Sequence, residues 1–271
     1  ITSDSDQLED KTLPVRSDGK ESNSATGILG LFGYSSYLKE ALLRNPVDES
    51  KGDLDRSNRA IADIFKKLRP GEPFTNESAA LMLKQRFFDN DHYDLGKAGR
   101  FKIKEKLGIY NRLENVTLAE DLISKDGEIV FEKGHTLSVK DVVKLREENF
   151  FEGNPNHNHQ VSFNSSLDNH GVVTIVRVFN PNIEKYKEEE KKLAEITTII
   201  GTDLSVDLRH ITIADILASF SYMLNIIDGI GEEDDTDHLG NKRVRCVGEL
   251  IQEKFRLGLS KIKKNIHDRM S

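Results

Sequence analysis

The densest set of side chains able to do chemistry lies between Gly231 and Leu250. Asp234, Asp235 and Asp237 crowd together, His238-Leu239-Gly240-Asn241 follows, and Lys242, Arg243 and Arg245 come next. Three kinds of chemistry fit these residues. Clustered carboxylates can hold Mg²⁺ through hard oxygen ligands. The same charges can pair locally on a solvated loop, where each exposed pair contributes little. Or an Asp can accept hydrogen bonds from a base, while Lys and Arg donate to phosphates and guanine edges. The mixed signs suit the third reading best, but residue types alone leave all three open.

Other constellations are weaker. His157 and His159, with His170 further on, invite a zinc reading. Their spacing fits no standard site and Cys246 is the only thiol, so a solvent-exposed loop is expected there. No Gly-rich phosphate loop and no Gly-x-Ser-x-Gly elbow occur. Cys246 follows Arg245 and reads as a partly buried small residue rather than a nucleophile. With one Cys no disulfide can form within the chain, which fits a cytosolic setting.

Charge adds to this. The 39 Lys and Arg stand against 46 Asp and Glu, a formal charge of −7. Evenly spread, that balance argues against a stand-alone nucleic-acid binder. It is not evenly spread. Residues 237–271 hold nine basic and four acidic residues, a net +5, whereas residues 1–55 hold six basic and eleven acidic, a net −5. The basic face of the last helix could therefore track a phosphate backbone. No apolar run approaches the ~18 residues of a membrane span, so no membrane partner is expected.

The elements that must position these groups follow from periodicity. Residues 1–27 are polar and without period, which predicts a mobile segment. Ile28–Leu43 predicts one or two short helices around a turn at Gly33. Ile61, Ile64, Phe65 and Leu68 mark a helix behind a possible cap at Ser57. Arg69-Pro70-Gly71-Glu72-Pro73 must be a rigid turn. Thr75 offers the next cap, and a further helix is expected over about Leu95–Leu107. Beyond Asn115 the pattern turns to strands: a hairpin around Asp126-Gly127, then Val172–Phe179 paired with Ile196–Ile200. Ser138/Asp141 and Thr212/Asp215 read as capping boxes. Val247, Leu250, Ile251, Phe255, Leu259, Ile262 and Ile266 predict a long final helix.

Several runs then resemble a known family. Leu68-Arg69-Pro70-Gly71-Glu72-Pro73, Arg86-Phe87-Phe88-Asp89, Tyr93-Asp94-Leu95 and Gly99-Arg100-Phe101-Lys102 are similar to the lobe of the bacterial RNA polymerase β subunit. Residues 234–250, from Asp234-Asp235-Thr236-Asp237 to Val247-Gly248-Glu249-Leu250, resemble the segment where that lobe returns to the protrusion. Gln252, Phe255-Arg256, Gly258-Leu259 and Asp268-Arg269-Met270-Ser271 continue the likeness in order.

The resemblance implies an internal piece of a longer subunit, which a start at Ile1 rather than Met also suggests. It implies an α+β fold, mostly helical lobe and protrusion elements with a β-rich insert. The expected divisions are a mobile segment 1–27, a helical lobe part 28–114, a β-rich lobe insert 115–207, a lobe helix and acidic loop 208–236, and a protrusion return segment 237–271 with the long basic helix.

The implied function is one wall of the DNA cleft, holding downstream duplex and nontemplate strand. No residue here is expected to be catalytic. The Mg²⁺ of the whole enzyme is implied to lie on the β′ subunit, so no cofactor is expected and the Mg²⁺ reading of Asp234, Asp235 and Asp237 is set aside. By the resemblance, Asp237 helps form a pocket for an unstacked guanine of the nontemplate strand, with Lys242 where the family usually has Arg. Arg69 lies near single-stranded DNA, and so does His92, again in place of Arg. Arg100, Arg243 and Arg245 match basic family positions, as DNA contacts or internal ion pairs. The implied partners are promoter DNA, the β′, α and ω subunits and σ factor, in the cytoplasm at the nucleoid. The acidic residues 1–55 motivate an alternative, a protein-interaction module that docks σ factor or transcription regulators.

Overall fold

The computed structural model describes residues 25–44, 53–89, 92–152, 160–163, 167–202 and 207–270. The polar segment expected to be mobile lies outside these residues up to position 24, and so do His157 and His159. The chain divides into two units, Ile1–Gly231 and Glu232–Ser271.

The first unit begins with two short helices, α1 (Ala25–Phe32) and α2 (Ser36–Arg44). They turn at Gly33, whose φ of +81° is a conformation that side chains with a Cβ disfavour. A Cβ there would also lie 3.2 Å from the Thr197 Cα. Helix α3 spans Asp53–Leu68 and α4 spans Asn76–Phe87. Ser57, read from the sequence as the cap of α3, lies one turn inside it, because the helix begins upstream of its apolar stripe. Thr75 does cap α4: its side chain accepts from Ser78 N–H, and Ser78 answers as a capping box. Ile61 and Phe65 of α3 pack on Ala79 and Leu83 of α4 in a small core of their own.

Helices α5 (Gly96–Leu107) and α6 (Ile109–Arg112) follow, then the hairpin β1 (Leu122–Ile123) and β2 (Ile129–Phe131) and helix α7 (Val139–Glu147). Ser138 and Asp141 form the expected capping box on α7. A three-stranded antiparallel sheet has the order β3 (Gln160–Ser162), β4 (Val172–Phe179), helix α8 (Glu188–Ala194) intervening in sequence, and β5 (Ile196–Gly201). Ile175 faces Ile200 across β4 and β5, and Phe179 faces Ile196. Helix α9 (Ile213–Ile227) lies against β5, and Thr212 and Asp215 box its N-terminus.

Two cores flank the sheet. Leu113, Leu118, Leu137, Leu145, Val176 and Ile199 fill one, and Leu31, Val173, Ile175, Ile200 and Ala214 belong to the other. These residues alternate along β4 and β5, as a sheet buried on both faces requires. The fold is thus α+β, with strands β1–β5 all falling between residues 122 and 201.

Two arginines are built into this unit rather than onto it. Arg112 is nearly buried and donates to the carbonyls of Ile200 and Ala218, to Ser221 Oγ and to Asn225 Oδ1. Burial pushes its guanidinium down to about 9, so it stays charged at neutral pH. Arg100 is described below.

The second unit holds a loop, a single 3₁₀ turn at Leu239–Asn241, and helix α10 (Val247–Met270), which is 24 residues long with no buried residue. Its apolar stripe is open: Ile251 is 63% exposed and Phe255 68%.

Candidate nucleic-acid interface

Short-range bonds shape the loop before α10. Asp237 N–H donates to Asp235 Oδ1 at 2.8 Å and Asn241 Nδ2 donates to Asp235 O at 2.7 Å. Backbone bonds from His238 to Asp235 O and from Asn241 to His238 O close two successive turns. Asp235 and Asn241 thereby act on the loop's own backbone, as Asx side chains do in turns. Asp237 is left pointing outward, its side chain 92% exposed, with Lys242 Nζ 3.1 Å from its Oδ1. Arg243 reaches Glu249 at 2.5 Å and Arg245 reaches Glu253 at 3.2 Å, so both are tethered to the first turns of α10. Cys246 is exposed, not partly buried as the sequence suggested, because nothing in its unit packs over it.

All three pairs are solvated. Exposed pairs of this kind are worth about 0–1 kcal/mol. The cations are positioned by their carboxylates but held weakly enough to exchange one for a phosphate. The Asp237 carboxylate can accept two hydrogen bonds from a guanine Watson–Crick edge only if Lys242 gives up, or shares, Oδ1.

In the first unit, Arg69 leaves α3 at the Pro70-Gly71 turn, and its guanidinium pairs with Glu72 at 3.1 Å, half exposed. Phe74 packs on Phe65 with ring centroids 4.9 Å apart, fixing the turn below Arg69. His92 Nδ1 lies 3.0 Å from Asp89 Oδ2 on an exposed stretch. Both side chains present polar groups to solvent.

Arg100 does not: of the two readings left open for it, DNA contact or internal ion pair, its geometry is that of an internal ion pair. Its side chain is 1% exposed. Nη1 donates to both oxygens of Asp215 at 2.8 Å, Nε donates to Leu208 O at 2.6 Å, and Nη2 donates to His210 O. Alternating polar residues around Arg100 in α5 gave no sign of this. Its partner lies 115 positions away.

The sequence also missed a cluster of titratable groups at the entry to α9. Asp168, His170 and His210 come together there, and only His170 had drawn attention. Burial lowers His210. Burial works to raise Asp168, but hydrogen bonds from Ile213 N–H and His170 outweigh it and hold its carboxyl below the usual range. No local spacing signals the set, because loop and helix entry are 42 residues apart.

Residues 170–245 match the family described as RNA polymerase Rpb2, domain 2. The chain is 38% identical over 251 residues to the DNA-directed RNA polymerase subunit beta of Listeria welshimeri, covering 90% of this chain and 19% of that protein. It is 39% identical over 246 residues to the same subunit of Staphylococcus haemolyticus, again over 90% of this chain and 19% of the relative. Over 90% of its length the chain is similar to bacterial RNA polymerase β subunits, and it spans about a fifth of the length of the curated relatives it matches.

Proposed function

We propose that this chain forms the lobe and protrusion wall of the DNA cleft in a bacterial RNA polymerase, gripping downstream duplex and nontemplate strand without itself doing catalysis. The nucleotidyl transfer and its Mg²⁺ then belong to the β′ subunit, and α, ω and σ factor are the protein partners. The setting is the cytoplasm at the nucleoid. The relatives' subunit identity supports this reading, and so does the +5 balance of residues 237–271. Among the described residues no helix is long and apolar enough to cross a membrane.

The observation that carries the DNA role is the outward carboxylate of Asp237, braced by the Asp235–Asn241 turns and flanked by Lys242, Arg243 and Arg245. Asp237 accepts from an unstacked guanine, and the three cations neutralise neighbouring phosphates. Arg69 and His92 add contacts to single-stranded DNA from the first unit. His92 lacks the planar, permanently charged fork of the Arg usual there and contributes less.

The test is Asp237→Ala in the assembled enzyme, with promoters carrying or lacking guanine just downstream of the start site. The start-site complex should shorten its lifetime only on the guanine promoter. An equal effect on both promoters, or none, removes Asp237 from the pocket.

A further inference from the structure

Asp168 and His170 sit in the loop that enters β4, and His210 sits just ahead of the α9 N-terminus. The fold brings all three to one point. His170 Nδ1 is 2.9 Å from Asp168 Oδ1, and His210 Nε2 is 3.8 Å from the same oxygen. One ligand atom from each lies within 4.8 Å of the other two. The imidazole rings meet edge to face, with centroids 5.5 Å apart. We propose that Asp168, His170 and His210 bind a divalent metal ion of the zinc class, which ties the entry of β4 to the start of α9.

Four observations carry this. The first is spacing. Ligands about 2.0–2.2 Å from a tetrahedral Zn²⁺ lie roughly 3.3–3.5 Å from one another. The observed 2.9 and 3.8 Å straddle that value, so small rotations of the two rings suffice.

The second is preorganisation. Asp168 Oδ2 accepts Ile213 N–H at 2.9 Å, which turns Oδ1 toward the two histidines. The His170 carbonyl accepts Ala214 N–H at 3.2 Å, which fixes the loop backbone. Outer bonds that aim a ligand in this way are what metal sites use.

The third is charge. The Asp168 and His210 side chains are 3% and 8% exposed, so a carboxylate lies in a dry place where a cation is welcome. Arg100 and Asp215 also lie near His210 and cancel each other as an ion pair. Two neutral imidazoles and one carboxylate suit Zn²⁺ rather than Mg²⁺ or Ca²⁺, which favour all-oxygen sites.

The fourth is access. The His170 side chain is 40% exposed, which gives the ion a path and leaves room for a water as fourth ligand. A metal at His170 Nδ1 takes the tautomer whose proton sits on Nε2, so the hydrogen bond between Nδ1 and Asp168 Oδ1 gives way to two bonds to the ion.

The competing explanation is a plain hydrogen-bonded cap, in which Asp168 only holds Ile213 N–H. Zn²⁺ titration of the 271-residue chain by calorimetry, and Co²⁺ titration by visible absorption, separate the two. His170→Ala keeps the Asp168–Ile213 bond and removes one ligand, and His210→Gln removes another. Circular dichroism and thermal midpoints in EDTA show that each variant is folded.

The expected result is one ion per chain, with the Co²⁺ bands of a four-coordinate nitrogen–oxygen site. At a Zn²⁺ concentration about a hundredfold above Kd, the thermal midpoint should rise by roughly 5–10 °C. Each His variant should bind at least about 100-fold more weakly. No Zn²⁺ binding by the folded chain overturns the site. So does binding that survives both substitutions, since the ion would then lie elsewhere.

Discussion

Arg100 and Asp215 meet as a buried ion pair, with Nη1 of the arginine 2.8 Å from each carboxylate oxygen. Asp215 Oδ2 also accepts Thr212 N–H at 2.9 Å, closing the capping box of α9. One carboxylate therefore both caps α9 and clamps it to α5. Replacing Arg100 by Ala leaves that carboxylate buried and unpaired, and should cost about 3–5 kcal/mol in denaturant unfolding. Thr212→Ala removes only the cap and should cost about 1 kcal/mol. Equal losses would mean that the pair adds nothing beyond the cap.

Gly201 ends β5 against α6. A Cβ there would lie 2.4 Å from the Ile109 Cα, a backbone atom that cannot swing aside. Gly201→Ala should therefore destabilise the chain by at least about 1–3 kcal/mol, through overpacking. Gly127→Ala offers the contrast: a Cβ meets nothing within 4 Å, and its cost comes from φ of +87° alone. Unfolding curves of the two variants check the difference.

Tyr34 donates to Glu190 Oε1 at 2.5 Å and Tyr186 donates to Asp228 Oδ1 at 2.5 Å, and the two rings lie 6.2 Å apart. Burial first, and then the neighbouring carboxylate, raises both phenols well above their ordinary 10.0. A phenol that holds its proton longer when folded stabilises the fold fully below its unfolded value. That stability is lost as pH rises through the folded one. Thermal midpoints should fall above about pH 10, and the fall should be shallower in Tyr34→Phe and Tyr186→Phe. An unchanged alkaline slope in both variants would count against the two bonds.

Lys242 should matter for DNA and not for folding. Its pair with Asp237 is exposed on both sides, so Lys242→Ala should change stability by no more than about 0.5 kcal/mol. Lys242→Arg supplies a planar fork, and in the assembled enzyme it should lengthen the start-site complex on guanine promoters. Arg243→Ala and Arg245→Ala should each lower the salt slope of DNA binding by about one. Filter binding at several salt concentrations reads all three.

Local chemistry determined much of this protein from its sequence alone. Thr75, Ser138 and Thr212 announced their caps because a cap needs only a side chain and a backbone three residues on. Val172–Phe179 and Ile196–Ile200 read as paired strands because β-branched runs bounded by polar loops have few other uses. The order of motifs around Arg69, Tyr93 and Asp237 pointed to the polymerase β subunit without any coordinates. The placement of Asp237, Lys242, Arg243 and Arg245 on one exposed loop was equally readable, since adjacent residues cannot be far apart.

Tertiary structure decided which charges face inward. Arg69 and Arg100 look alike in sequence, yet one is half exposed and the other is enclosed by Asp215, Leu208 and His210. Arg112 is likewise internal, satisfied by carbonyls and amides of β5 and α9. The gathering of Asp168 and His170 with His210 belongs to the same class. A partner forty or a hundred residues away leaves no local period or spacing, and only the packing of α5, α9 and the sheet brings it within reach.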